Sequence, residues 1–338
     1  MPRPIPSQLD LFGAPAEPAP PAHAVRAADP DRHVLELAGR LPGAIRLGTS
    51  SWHFPGWAQS VYDHPADERV LARDGLRAYA QHPLLRCVSL DRTFYAPIGV
   101  AAYRGYADQV PADFRFVVKA PMACTAASLR AHGSASHAPN PRFLDARFAT
   151  EQFVAPCLDG LGGKAGPLVF QFPPLGRDIT RRPEAFAARL GGFLGRLPSG
   201  TEIAIELRDH ALVCPAYLEM LASTGAHHCL SLHPRMPVAS EQARETGLDR
   251  AGALIVRWNL HAGFGYEEAK ARYNPFTRLV DEDLPNRIAL ARLALAAARR
   301  GDAVTIVANN KAEGSAPLTL VRLAEQIVSM SAPEEPRP

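Results

Sequence analysis

The chain has 338 residues, 47% of them hydrophobic, enough to bury a large core as one barrel-sized domain or two ordinary ones. No run approaches the roughly 18 apolar residues of a membrane helix, and the start MPRPIPSQLD lacks the apolar centre of a secretory signal, so a cytoplasmic protein without a membrane partner is expected. Five cysteines with no CxxC pair argue against a disulfide framework or a thiolate zinc site, and a charge of 37 minus 34, or +3, demands no nucleic-acid partner.

Residues 1–40 open the chain as a Pro- and Ala-rich arm. Its composition predicts disorder, because it holds too little apolar surface to offset the entropy of ordering. Within it, Leu9, Leu11 and Phe12 stand out as apolar residues without a core of their own. From 41 to 331 short apolar runs alternate with helical patterns, the signature of repeated β-α units. The runs are AIRLGTS (44–50), CVSLDRTF (87–94), FRFVVKAP (114–121), PLVFQFPP (167–174), EIAIELRD (202–209), HHCLSLHP (227–234), ALIVRWNL (253–260) and AVTIVANN (303–310). Helices are expected at EAFAARLGGFLGRL, PAYLEMLAS, NRIALARLALAAARR and LTLVRLAEQIVS, where apolar residues recur at three- and four-residue spacing. Residues 332–338 read as a disordered tail.

Eight such strands with their helices predict a single α/β domain, a TIM-type (β/α)8 barrel. Periodicity alone leaves an open doubly wound sheet as the alternative. Two insertions stand out: 122–145, rich in Ala, Ser, His and Pro, reads as a lid or substrate loop, and 261–283 carries aromatic and charged residues toward the active face.

Barrel enzymes place their chemistry at the carboxyl ends of the strands, and here those ends are polar almost throughout. In chain order they offer Trp52, then Asp91 and Tyr95, Lys119, and Gln171. Strand five adds Glu206, Arg208, Asp209 and His210, and strand six His233. The last two supply Arg257, Asn259 and His261, then Asn309, Asn310 and Lys311. Glu206 and Arg208 alternate and so face the same way, inward if Ala204 also lines the barrel. They read either as an ion pair filling the mouth or as a general base and an anion clamp. Lys119 closes the apolar run FVV. It reads as a partner of Asp91 or Glu206, as a phosphate ligand, or as an amine titrating low enough to form a Schiff base.

Asp91, Glu206 and Lys119 are the catalytic candidates. Arg208, Arg257, Asn259, Asn309, Asn310, Lys311, Gln171, Trp52 and Tyr95 are the substrate-binding ones. A divalent metal is an open option, with Asp209, His210, His233 and His261 as further ligands, although no HxH or HExxH spacing is present. In NNKAEGSAP, Lys311 and Gly314 follow the last strand, where barrels bind phosphate through backbone amides; the alternative is a hydrogen-bonded turn. Arg208, Arg257, Lys119 and Lys311 against Asp91, Glu206 and Asp209 leave the mouth suited to an anion.

GTSSWHFPGW (48–57), DRTFYAP (91–97), FRFVVKAP (114–121), LVFQFPP (168–174), AIELRD (204–209), VRWN (256–259) and NNKAEGSAP (309–317) resemble the DUF72 (YecE-like) family in order and spacing. The resemblance implies a TIM-type barrel without an established activity. It also implies Glu, Asn and His in many relatives where Ser89, Asp91 and Asn259 stand here, which marks a divergent branch.

Gln8, Leu9, Asp10, Leu11 and Phe12 resemble the QL(S/D)LF peptide with which bacterial replication and repair proteins dock on the sliding clamp. A flexible arm with two Leu and a Phe suits peptide-in-groove recognition, and the alternative is a segment folded back onto the barrel. The expectation is therefore an enzyme, a hydrolase if catalytic, for an anionic phosphate-containing substrate or nucleic acid, tied to DNA repair through the clamp. A barrel enzyme for a small sugar-like or carboxylate substrate, and a non-catalytic clamp-associated scaffold, are the alternatives.

Overall fold

A computed structural model of the chain describes residues 24–130 and 137–331. The QLDLF segment and the tail at 332–338 lie outside the described residues. Ten strands are described: β1 Ile45–Thr49, β2 Leu85–Leu90, β3 Arg115–Lys119, β4 Ser128–Arg130, β5 His137–Pro139, β6 Ala165–Gln171, β7 Ile203–Glu206, β8 His227–Leu232, β9 Leu254–Trp258 and β10 Val304–Ala308. Eight of them close a parallel barrel in the order β1-β10-β9-β8-β7-β6-β3-β2, so the sheet is closed, not open. The eight expected runs are these eight strands.

The strands read as nearly unbroken apolar runs because both of their faces are buried. Outward residues such as Leu47, Phe116, Phe170, Ile205, Val256 and Ile306 join the large core under the surrounding helices. Inward residues Cys87, Val117, Val169, Ala204, Cys229, Ile255 and Val307 form a separate cluster, one from each of seven strands. The eighth strand contributes Gly48, which pairs in register with both Val307 and Cys87. A Cβ at Gly48 would lie 2.1 Å from the Cys87 carbonyl oxygen, so the barrel closes here only around glycine.

The four expected helices appear as Pro183–Leu194, Pro215–Thr224, Leu284–Arg300 and Ala316–Ser331. One element differs from the composition-based arm. Residues Arg32–Arg40 form a helix, capped by Asp31, whose Oδ1 accepts from the His33 amide at 2.9 Å. Leu37 is buried, and His33 Nε2 lies 2.8 Å from Glu325 Oε1 on the C-terminal helix. This helix escapes a compositional reading because its apolar stripe is short, and it is ordered by tertiary packing instead of its own propensity.

The expected substrate loop, over its described part, forms a short helix Met122–Thr125 and the antiparallel pair β4-β5. Asn140 Nδ2 donates to the carbonyls of Ala123 and Ala126 at 2.8 and 2.7 Å, tying its two ends together. The 261–283 stretch folds as the helix Tyr266–Tyr273 over a satellite core of Leu260, Ala269, Tyr273 and Phe276.

Candidate functional site

Two residues beyond each member of the inner apolar ring, the alternation of a strand brings the next inward side chain. Those residues are Ser50, Ser89, Lys119, Gln171, Glu206, Ser231, Arg257 and Asn309, polar in every strand. The barrel mouth is therefore a polar layer resting on an apolar plug, built by period two from each strand separately.

Glu206 is fully buried at the centre of this layer. It accepts from Ser231 Oγ at 2.9 Å, Arg257 Nη1 at 2.9 Å and Asn259 Nδ2 at 3.1 Å, and pairs with Arg208 Nη2 at 2.6 Å. Burial by itself would raise its pKa, but Arg208, then Arg257 and Lys119, overcome that and hold it down at about 2. A carboxylate so acidic and so fully engaged is a poor general base at neutral pH. Its chemistry is to position Arg208 and Arg257, so the ion-pair reading of the IAIELRD stretch describes it.

Arg257 also donates Nη2 to Asp91 Oδ2 at 2.6 Å, and Ser89 Oγ donates to Asp91 Oδ1 at 2.6 Å. Asp91 keeps 32% of its side chain exposed, whereas Glu206 keeps none. The Nη1 of Arg208 and the Nε of Arg257 are buried without an acceptor, which leaves donors of the mouth unused.

Lys119 makes no ion pair with Asp91 or Glu206 within 4.0 Å, contrary to the simplest expectation from its position; its Nζ lies over the Phe94 ring, 3.6 Å from the centroid. Burial lowers its pKa to about 8, with Arg257 and Arg208 pushing the same way and Asp91 and Glu206 opposing. Lys311 is similar: its Nζ is 4.3 Å from the Tyr266 ring centre, and burial with Lys270 nearby brings it to about 8.

The NNKAEG turn closes on itself. Ala312 N donates to Asn309 O, Gly314 N to Asn310 O, and Lys311 N to Asn309 Oδ1, at 2.9, 2.8 and 3.0 Å. Asn310 is buried and accepts from Trp57 Nε1 and the Ala316 amide at 3.1 and 2.8 Å. The hydrogen-bonded turn is thus what forms, and it engages the amides of Lys311, Ala312, Gly314 and Ala316. Asn309 reaches the mouth, donating Nδ2 to Ser50 Oγ at 2.8 Å. Gln171 is buried beside Glu206 in the strand register.

The metal candidates are dispersed. Asp209 accepts from Arg235 Nη2 at 2.8 Å and from the Leu175 amide at 2.7 Å, His210 pairs with Glu245 at 2.8 Å, and His261 accepts from the Gly263 amide at 3.1 Å. His233 accepts from the Arg235 amide at 3.2 Å and burial lowers its pKa to about 4. Among the described residues no group of three His, Cys, Asp or Glu side chains is arranged to hold a metal ion. With Asp209 turned to Arg235, Lys119, Arg208 and Arg257 meet the two carboxylates Asp91 and Glu206 in the mouth, and Lys311 lies near Asp91, Glu267 and Lys270.

Beside the mouth lies a cavity of about 330 Å³ lined by Ser50, Ser51, Trp52, His53, Ser89, Asp91, Arg92, Tyr95 and Tyr106. Trp52 and Tyr106 meet edge to face at 5.5 Å, and Tyr95 is largely exposed. Asp91 belongs to both the cavity wall and the ion network. Ser231, Phe94, Tyr266 and Arg235 complete this region without having been candidates. Ser231 was within reach of the alternation rule, two residues before His233, whereas the two aromatic rings under the lysines and the Arg235 pair depend on loop paths.

A sequence model of the family described as "Protein of unknown function DUF72" matches residues 46–338. No curated protein matches the chain. Among solved structures, the fold is similar to that of a DUF72 family protein from Thermotoga maritima MSB8, at 18% identity and a TM-score of 0.52, over 84% of this chain and 99% of that one. A DUF72 family protein from Enterococcus faecalis V583 is similar in two crystal structures, at 16% identity and TM-scores of 0.51 and 0.50, over 84% and 85% of this chain and 95% and 96% of that one. At these identities the likeness concerns the fold.

Proposed function

The chain belongs to the DUF72 family, and from that premise we propose that its barrel mouth binds an anionic, phosphate-bearing substrate and acts on it as an enzyme. The observation that carries this reading is charge: Lys119, Arg208 and Arg257 meet Asp91 and Glu206 in the mouth, Lys311 lies near Asp91, Glu267 and Lys270, and the two lysines have no carboxylate within 4.0 Å among the described residues. An uncompensated cation in a low-dielectric mouth attracts an anion strongly. The adjoining cavity supplies aromatic faces and hydroxyls for a ring or sugar attached to that phosphate.

Titration with inorganic phosphate and with nucleoside monophosphates, followed by protein NMR and calorimetry, tests it. Lys311→Gln weakens both ligands about tenfold, as expected for one lost charge-assisted contact. Tyr95→Ala weakens the nucleotides alone, because stacking is worth about 1–3 kcal/mol per base. No binding of either ligand overturns the reading in favour of a non-catalytic scaffold, and binding of neutral sugars or small carboxylates alone favours the sugar-like alternative.

A link to DNA repair is a second reading, favoured by the Gln8 to Phe12 peptide and its likeness to sliding-clamp ligands. In this plan residues 41–331 are the barrel domain, and the part of the N-terminal arm that carries Gln8 to Phe12 is the docking segment. A cytoplasmic setting belongs to the same reading. Among the described residues no helix is long and apolar enough to cross a membrane.

A further inference from the structure

Four lysines occur in the chain, Lys119, Lys164, Lys270 and Lys311, against a large excess of arginine. Lys164 donates to the carbonyls of Ala107 and Val110 at 2.6 and 2.7 Å, and Lys270 is exposed on the Tyr266–Tyr273 helix. Where only a positive charge is needed, arginine serves, as Arg208 and Arg257 do in the mouth. Lysine differs in that its nitrogen gives up a proton within the range of ordinary pH and then carries a nucleophilic lone pair.

At Lys119 the surroundings favour that state. The Phe94 ring covers one side of the nitrogen at 3.6 Å, a contact that by itself favours the ammonium, while burial favours the free amine. Asp91 and Glu206 make no ion pair with it within 4.0 Å but favour the ammonium, and the guanidinium groups of Arg257 and Arg208 push the other way. Burial lowers its pKa to about 8, so close to half of the molecules carry a free amine at that pH.

We propose that Lys119 is a nucleophile that forms an imine with a small aldehyde or ketone bearing a carboxylate or a phosphate. The proposal rests on the anionic-substrate reading above and adds the carbonyl group to it. The Nζ lone pair attacks the carbonyl carbon, a C–N bond forms, and the carbonyl π pair moves onto oxygen. One nitrogen proton passes to that oxygen. The hydroxyl then leaves as water with a second proton while the nitrogen lone pair closes the C=N bond, so one water is released and nothing is oxidised or reduced. Asp91, which lines the aromatic cavity and is the partly exposed carboxylate of the mouth, is placed to carry these protons. Arg208, whose Nη1 is buried without an acceptor, holds the anionic end.

The test incubates the full chain with sodium cyanoborohydride and either pyruvate or glyceraldehyde 3-phosphate, then digests it and maps the reduced adduct by mass spectrometry. The expected result is an adduct on the Lys119 peptide, about tenfold above that on the other three lysines and the Met1 amine, saturable in probe. Its yield rises with pH to a half-point near the pKa of about 8, and inorganic phosphate competes with it. The better of the two probes identifies the anion. Lys119→Arg keeps the charge and loses the adduct. Labelling spread evenly over the lysines, labelling of Lys311 instead, or no adduct with either probe overturns the proposal. Phosphate binding by calorimetry without an adduct removes the imine and keeps the anionic reading. An adduct at Lys119 that phosphate does not compete keeps the imine and removes that reading.

Discussion

Arg257 Nη2 lies 2.6 Å from Asp91 Oδ2, a bond that joins β9 to the end of β2 across two intervening strands of the ring. The same guanidinium gives Nη1 to Glu206 at 2.9 Å, so one planar fork separates two carboxylates that would otherwise repel.

A lysine at 257 keeps the charge but cannot reach both carboxylates in fixed geometry. Arg257→Lys is expected to cost about 2–3 kcal/mol and Arg257→Met about 3–5, the range for breaking a buried ion pair. Urea denaturation checks this as a lower midpoint at unchanged slope. A loss below about 1 kcal/mol for either variant would show that the mouth re-forms its network without the fork.

The buried His228 makes stability depend on acid. It is 2% exposed, Tyr217 Oη lies 2.9 Å from its Nδ1, and burial lowers its pKa to about 4. In the unfolded chain an ordinary histidine titrates near 6.5, so between those values the unfolded state binds the extra proton. Its contribution is therefore complete above pH 6.5 and declines as pH falls toward 4, by about 1.4 kcal/mol per unit. His82 and His233, also lowered by burial, add to the same slope. Below about 4.5 Glu206 adds a further loss as pH falls toward its own low pKa, because a depressed carboxylate stabilises only while ionised. Melts from pH 7 to 4 with His228→Gln should show a shallower decline than the native chain, and parallel curves would exclude His228 as a source.

Gly314 has φ of +120°, and a Cβ there would lie 2.4 Å from the Arg278 carbonyl oxygen and 3.0 Å from the Val280 amide. Its neighbour Glu313 is fully buried and holds the passing loop, accepting at Oε1 from the Asp283 amide and from Arg287 Nη2, both at 2.6 Å. Gly314→Ala should cost at least about 2 kcal/mol through backbone strain and loss of that seam. It should also weaken phosphate binding by displacing Lys311. A thermal melt and a phosphate titration on one sample check both, and an unchanged melting temperature would contradict the tight approach.

For the arm, Gln8→Ala with Leu11→Ala and Phe12→Ala is expected to abolish binding to a bacterial sliding clamp while leaving thermal stability unchanged. Calorimetry against the clamp reads the first and a melt the second. No affinity in the native chain, or a melting temperature several degrees lower in the variant, would return the segment to the barrel.

The eight strands and the polar ends of each were legible because they depend on local period. A strand buried on both faces must be apolar nearly throughout, and its inward side chains recur every second residue, so IAIELRD announces Ala204, Glu206 and Arg208 on one side without reference to any other segment. Even the family likeness lies in such local stretches, from GTSSWHFPGW to NNKAEGSAP. The helix Arg32–Arg40 was not legible in the same way, since its stability comes from the C-terminal helix nearly three hundred positions away.

Pairing was decided by closure. Which cation meets which carboxylate depends on bringing β2, β7 and β9 around one axis, and separations of 51 and 166 residues carry no periodic signal. Asp209 and Asp91 look alike at their strand ends, yet the first turns to Arg235 and the second to Arg257. Lys119 could be read as an ion-pair partner until the path of the β2 loop put Phe94 beneath it. Electrostatic interactions act through space, and chain order constrains distance in space only within one element; the charges were present in the sequence, but their partners, and hence which of them remain free for a ligand, came into being with the fold.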